Sequence, residues 1–204
     1  DVDLAIQINK PLYSIINGDR IYVNGIIEAL SIQIAEKFKK ELIDYLPREI
    51  AEQEWIFDLF FTNSLIWRSC DSFTQRTIEL FNEIQEHGYQ SRSLDILLTL
   101  STEPLHPWNA DFLHKNLIRR NMPERDSFWS IYLAISDRIE EDDEPETVER
   151  TIIEWALYGN LDNIEPERIR LCAITLMWFT STSNRKVRDQ ATKSLVRILT
   201  KYPA

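Results

Sequence analysis

From Gly25 to the C-terminus the apolar positions recur at the three-to-four-residue spacing of amphipathic helices. Leu30, Ile34, Phe38, Leu42 and Leu46 step by four, with Lys37, Lys39, Lys40 and Glu41 between them, and Pro47 stops the run. Residues 49–68 carry Ile50, Trp55, Ile56, Leu59, Phe60, Leu65 and Trp67, which predicts one long helix or two broken near Thr62 and Asn63. Ser72 and Gln75 have the spacing of a capping box, in which hydroxyl and amide satisfy free N–H groups at a helix start. The helix they open would place Phe73, Thr77, Leu80, Phe81 and Ile84 on one face and end at Gly88.

Ser91 then precedes the apolar run Leu94 to Leu100, and Pro104 and Pro107 break the chain. Asn109 can cap a helix with Phe112, Leu113 and Leu117 inward. Pro123 suits a first helical position, with Glu124 and Asp126 at the positive N-terminus and Phe128, Tyr132, Ile135 and Ile139 aligned. After the acidic stretch Glu140 to Glu146, Pro145 starts a helix with Val148, Ile152 and Trp155 inward. Pro166 starts another. There Ile169, Cys172, Ala173, Leu176 and Phe179 form one stripe, and Leu171, Ile174, Met177 and Trp178 cover much of the rest, the pattern of a helix covered on two sides. Ser183 or Asn184 caps the last helix, with Val187, Ala191, Leu195, Ile198 and Leu199 inward.

Residues 1–25 differ. Ile15 to Val23 reads as two short apolar runs around a turn at Asn17-Gly18, and a small hairpin or an irregular lead-in fits equally well. The rest, residues 26–204, reads as one helical unit of about eight or nine helices joined by short loops. Short connections favour antiparallel neighbours, and a chain of such pairs with one helix sandwiched is the layout of an α-solenoid of HEAT, armadillo or TPR type. No strict repeat consensus is present, so the repeats would be degenerate, and a compact helical bundle is the alternative.

Composition narrows the classes. At 204 residues roughly 70% of the unfolded chain's surface can be buried, and a hydrophobic content of 44% excludes a disordered chain. Gly18, Gly25, Gly88 and Gly159 are the only glycines, too few for most sandwiches and barrels or for a glycine-rich phosphate loop. A net charge of −10 argues against a general nucleic-acid binder. Cys70 and Cys172 stand alone in apolar surroundings and read as reduced, buried small hydrophobes. No apolar run approaches the ~18 residues of a membrane span and no basic-then-apolar leader is present, so a soluble cytoplasmic protein is expected. The chain opens on Asp1, which suits a piece excised from something longer.

Catalytic signatures are missing. His106 and His114 flank Trp108 without the i, i+4 spacing of metal ligands, His87 is remote in sequence, and neither cysteine belongs to a CxxC pair. Neither GxxxxGK[ST] nor GxGxxG occurs, and no serine or cysteine sits in a nucleophile elbow. No metal or cofactor is therefore expected. The run Glu140 to Glu144 reads as solvated surface, with a cation site or a basic-partner contact as the sharper alternative.

Two segments stand out. Pro104 to Leu113, followed by Met122 to Ser130, is dense in aromatics, prolines and charges. Trp108 and Arg125 could anchor a partner there, or the segment could be a helix corner that buries Trp108 and Trp129 while Arg125 ties down loop carbonyls. Ser181 to Lys193 carries Arg185, Lys186, Arg188 and Lys193, a solvated helix face or a contact for phosphate or an acidic partner.

Asn109-Ala110-Asp111-Phe112-Leu113-His114 with Met122-Pro123-Glu124-Arg125-Asp126, and then Phe179 through Lys193, resemble the helical C-terminal region of large bacterial STAND NTPases, the NACHT-like proteins of antiviral defence. The resemblance runs from about residue 49 to 200 and marks a scaffold rather than a catalytic site. It implies a parent with an N-terminal effector, a central P-loop ATPase and a C-terminal helical-repeat sensor that recognises a phage protein. This chain lacks the ATPase motifs and any effector. The expected function is thus a non-catalytic interaction segment whose partners are a protein, such as a phage protein, and other domains of a parent, with neither nucleic acid nor membrane. Trp108, Arg125, Arg185, Lys186 and Arg188 are the candidate contacts. A stand-alone helical scaffold or adaptor is the alternative, and a helical enzyme with an unrecognised site is a third reading.

Overall fold

The computed structural model of the chain describes residues 20–46, 51, 57–86, 90–138 and 147–203. Among these residues there are helices and turns and no strand, so the chain is all-α. No described helix is long and apolar enough to cross a membrane. The backbone clusters into two compact units, residues 1–83 and 84–204, where the sequence pattern carries no visible break. Most of the lead-in, residues 1–19, lies outside the described residues. Ile21 to Val23 is the first turn of α1 (Arg20–Phe38), not the second arm of a hairpin.

In the first unit, α1 buries Ile27, Ser31, Ile34 and Ala35, while Phe38 stays exposed. A strict step of four drifts by about 40° at each repeat, so Leu30–Ile34–Phe38 cannot stay on one face; the observed stripe follows the i, i+4, i+7 spacing of a helix. The helix stops because Lys39 turns to φ 53°, its N–H closing on Ala35 O at 3.0 Å. Leu42 and Ile43 are buried from a separate 3₁₀ turn, Leu42–Tyr45. A π-helical turn, Asp58–Thr62, passes into α2 (Asn63–Leu65), so the winding changes where the sequence places a break. Phe60, Phe61 and Leu65 are fully buried, whereas Trp67 is 69% exposed.

Ser72 does not open the next helix. It closes the 3₁₀ turn Cys70–Ser72, and its hydroxyl accepts from Arg68 Nε at 3.1 Å. Thr74 caps α3 (Gln75–Glu86) instead: its Oγ1 accepts from Thr77 N at 3.3 Å, and Thr77 Oγ1 accepts from Thr74 N at 3.1 Å. Gly88, the expected stop, lies outside the described residues. Cys70 is exposed, against expectation, because it begins a surface turn.

Arg68 organises this unit. Its guanidinium meets Glu41 with two parallel bonds, Nη1 to Oε2 at 2.7 Å and Nη2 to Oε1 at 2.9 Å, and both side chains are buried. Nη2 also donates to Ser72 O at 3.0 Å, Thr77 Oγ1 donates to Glu41 Oε1, and the Phe73 ring lies 5.2 Å beneath the charge. Every charged atom of the pair thus has a partner, the condition for burying an ion pair without a large loss.

The second unit holds α4 (Gln90–Leu100), α5 (Ala110–Ile118), α6 (Met122–Arg138), α7 (Val148–Tyr158), α8 (Pro166–Phe179) and α9 (Arg185–Lys201). Asn109 caps α5 by accepting from Asp111 N at 3.0 Å, and Asn184 caps α9 by accepting from Val187 N at 3.2 Å. Asn121 and Glu124 cap α6 reciprocally, both at 3.0 Å. Pro166 opens α8, which buries Ile169, Leu171, Cys172, Leu176, Trp178 and Phe179 between α5 and α9. Buried residues lie on more than one face of α8, as its pattern predicts, although Arg170 and Met177 are exposed and Ala173 and Ile174 only half-buried. Along α9, Ala191, Ser194 and Ile198 turn inward, and Leu199 remains exposed.

Truncating Arg68 to Ala should leave Glu41 as a buried, unmatched carboxylate and cost about 3–5 kcal/mol of the first unit's stability. Replacing both members by apolar residues of similar volume should cost far less. Denaturant unfolding of the two variants checks this, and equal losses would contradict it.

Candidate functional site

α7 carries two apolar stripes. Ile153 and Ala156 are fully buried against α9. Val148, Ile152 and Trp155, the stripe that periodicity marks as inward, are only half-buried. They form one wall of a groove of about 490 Å³. The facing wall is Leu98 and Thr99 of α4 with Thr102 just beyond it, and Ile164 and Arg168 close the far end.

α9 holds α7 from behind. Ser194 Oγ donates to Ile153 O at 3.4 Å, Arg197 donates to Ala156 O at 2.6 Å and to Gly159 O at 2.8 Å, and Tyr202 OH donates to Leu161 O. Residue numbers rise together along this seam, so α7 and α9 run in the same direction. Gly159 ends α7 in close contact with Trp155: a Cβ there would lie 2.5 Å from the Trp155 carbonyl oxygen and 3.0 Å from its indole Cδ1. Only glycine leaves that ring where it is.

Tyr132 of α6 ties the two walls together. Its phenol oxygen lies 2.7 Å from Asp95 Oδ1 on α4 and 3.0 Å from Glu149 Oε2 on α7, and Thr147 Oγ1 donates to the other Glu149 oxygen at 2.7 Å. Burial, and then the two carboxylates, push the Tyr132 phenol far above its ordinary range, so it keeps its hydrogen and acts as a donor.

Three of the polar side chains that line the groove, Thr99, Thr151 and Arg168, are bonded within the chain. Thr99 Oγ1 donates to Asp95 O at 2.8 Å and Thr151 Oγ1 to Thr147 O at 3.0 Å, within their own helices. Arg168 grips Glu103 through two bonds of 2.6 and 2.9 Å, which holds the Glu103 carboxyl below its usual range and raises the guanidinium. Such a lining suits apolar contact more than proton or group transfer. Among the described residues no group of three His, Cys, Asp or Glu is arranged to hold a metal ion.

The two segments singled out in the sequence do meet. Asp126 Oδ1 accepts from Ser183 N at 3.2 Å, and the Trp129 ring stands edge-on to Phe179 at 5.5 Å. Trp108, only 3% exposed, is a core residue of this corner and not a surface anchor, because its segment folds back beneath α5 with the Ala110 N–H on Ser101 O. Arg125 stacks over Trp178 at 5.7 Å and reaches the Asn121 carbonyl. Arg188 is half-buried and donates to Thr182 O at 3.2 Å, closing the turn before α9. Arg185, with 86% of its side chain exposed, and Lys186 do face solvent; Arg185 pairs loosely with Asp189 at 3.5 Å. None of the five lines the groove. The run Glu140 to Glu144 lies outside the described residues. Cys172 is buried as expected, its thiol pushed up to about 12.

No family model matches this chain, and neither a curated protein nor a solved structure matches it.

His106 offers a titration check on the corner. It is buried, and its Nδ1 accepts the Trp108 N–H at 3.0 Å, which requires the neutral ring. Burial lowers its pKa from 6.5 to about 4, with the Glu103 carboxylate opposing. Between those values the unfolded chain holds a proton that the folded chain refuses. Stability is therefore full above pH 6.5 and declines as pH falls toward 4, by at most about 1.4 kcal/mol per pH unit. An NMR titration should find the His106 ring neutral at pH 5 and His106→Gln should flatten the acid limb; a midpoint near 6.5 would contradict the burial.

Proposed function

We propose that this chain is a non-catalytic protein-interaction segment, a scaffold or sensor piece, and that the α4–α7 groove is its docking face. The observation that supports this is the half-buried stripe of Val148, Ile152 and Trp155 lining an open groove whose Thr99, Thr151 and Arg168 are bonded within the chain. Soluble proteins seldom leave an organised apolar concavity open without a use for it. The favoured architecture is an α-solenoid of degenerate antiparallel helix pairs, in which a groove between repeats is a natural contact surface. In this proposal the setting is the cytoplasm and a larger parent of the STAND type, whose ATPase lies elsewhere in that parent.

Photo-crosslinking separates the two faces under consideration. A benzophenone amino acid at the exposed Thr151 should give a discrete protein adduct in cells, and Trp155→Ala should abolish it. The same probe at Lys186 should give none. An adduct at Lys186 alone would move the contact to the basic turn of α9, and adducts at neither position would contradict the interaction reading.

A further inference from the structure

We infer that the corner between α5 and α6 is a second docking surface, one that takes an acidic protein segment carrying apolar side chains beside its carboxylates. The inference stands apart from the α4–α7 groove, which none of the corner residues lines.

The first observation is a local reversal of charge. Acidic residues outnumber basic ones by 33 to 23 in this chain. Between Lys115 and Arg125 the balance inverts, with Lys115, Arg119, Arg120 and Arg125 against Glu124 alone. Glu124 is committed already, since its Oε2 accepts the Asn121 N–H at the start of α6. Asp111, one turn before Lys115, is held by Arg170. Elsewhere Arg68, Arg76, Arg150, Arg168, Arg170 and Arg185 each pair with a carboxylate. Among the described residues the four corner cations have no such pair. Arg120 lies 5.0 Å over the Phe128 ring and Arg125 5.7 Å over Trp178, while Lys115 and Arg119 are exposed. A guanidinium stacked on a ring keeps N–H groups at its edge for a carboxylate.

The second observation is apolar. Ile118 is 59% exposed and Met122 77%. They flank the turn Arg119 to Asn121, in which the Arg120 N–H closes on Leu117 O at 3.1 Å. Ile118 lies one helical turn beyond His114 on α5, and Met122 one turn before Arg125 on α6. His114 and Arg125 both pack against Trp178 of α8, so the two exposed side chains belong to one side of the corner. The reciprocal Asn121–Glu124 cap fixes the turn, which spares a partner the cost of ordering it. Arginine around an adaptable methionine is the composition of a protein interface.

The sign of the charge selects an anion, and its extent selects the class. A nucleic acid or an anionic membrane is an extended polyanion and would also meet the rest of a surface with net charge −10. A short acidic segment touches the corner alone. Its carboxylates complement the cations, and its apolar residues cover Ile118 and Met122.

The test titrates the full chain, by fluorescence anisotropy, with three short synthetic peptides of equal length made from Glu and Leu, Gln and Leu, or Glu and Ser. The Glu–Leu peptide should bind about tenfold or more tightly than either of the others, and its lead over the Gln–Leu peptide should shrink at high salt. Lys115→Glu with Arg119→Glu should weaken that peptide about tenfold or more, whereas the same double reversal at the exposed Lys37 and Lys40 should change it less than about twofold. Ile118→Ser with Met122→Ser keeps the charge and should bring the Glu–Leu peptide down to the level of the Glu–Ser peptide. Circular dichroism checks folding, and Lys115→Gln with Arg119→Gln serves if the reversal does not fold. Equal binding of the three peptides, no binding of the Glu–Leu peptide, or equal losses in the two double reversals would overturn the inference. So would corner-dependent binding of phosphatidylserine vesicles or of a single-stranded oligonucleotide that exceeds binding of the Glu–Leu peptide, or self-association that the corner reversal abolishes. The Thr151 crosslink bears on the groove alone, so the two readings fail separately.

Discussion

One phenol hydroxyl sets the shape of the candidate site. Tyr132 reaches from α6 to carboxylates on both walls, Asp95 of α4 and Glu149 of α7. The hydroxyl has one hydrogen to share between them, and a buried bond to a charged acceptor is among the stronger ones available to a protein, about 1.5–3 kcal/mol. From the other side α9 grips the carbonyls of α7 through Ser194 and Arg197. α7 is therefore held at its first turn and along its back, and neither attachment covers Val148, Ile152 and Trp155. The groove is what remains when a helix with two apolar stripes is fastened by only one of them.

The two units use different physics. The first is centred on a buried Arg68–Glu41 pair in which each charged atom has a partner, an arrangement that tolerates little change in either member. The second relies on large apolar side chains, with Trp129 against Phe179 and α8 packed between α5 and α9, and uses buried polar contacts both at the His106 corner and to brace α7. The solvent-facing Arg185 belongs to neither device, and its exposed pair with Asp189 adds little to the fold.

Local chemistry was legible in the sequence. Asn109, Pro166 and Asn184 mark helix starts because capping depends on residues two or three positions away, and the all-round apolar character of α8 announces cover on two sides. Contacts between distant positions were not legible. Tyr132 sits in an apolar stripe, and nothing in its neighbourhood reveals that it bonds residues 37 and 17 positions away. Arg68 and Glu41 are likewise 27 apart, and that pairing is what diverts Ser72 from capping α3. Periodicity also shows that a stripe exists without showing what covers it. For that reason Val148, Ile152 and Trp155 read as core, although Ile153 and Ala156 fill that role, and Trp108 could be read as either anchor or core.

The account depends on the groove being a preformed consequence of the Tyr132 brace. Amide hydrogen exchange in Tyr132→Phe, compared with the unaltered chain, tests this most directly, because the ring is kept and only the hydroxyl is lost. Exchange in the first two turns of α7 should accelerate roughly tenfold or more, the ratio that corresponds to about 1.4 kcal/mol, with α8 and the seam around Ala191 unchanged. Unaltered protection at the start of α7 would contradict the account.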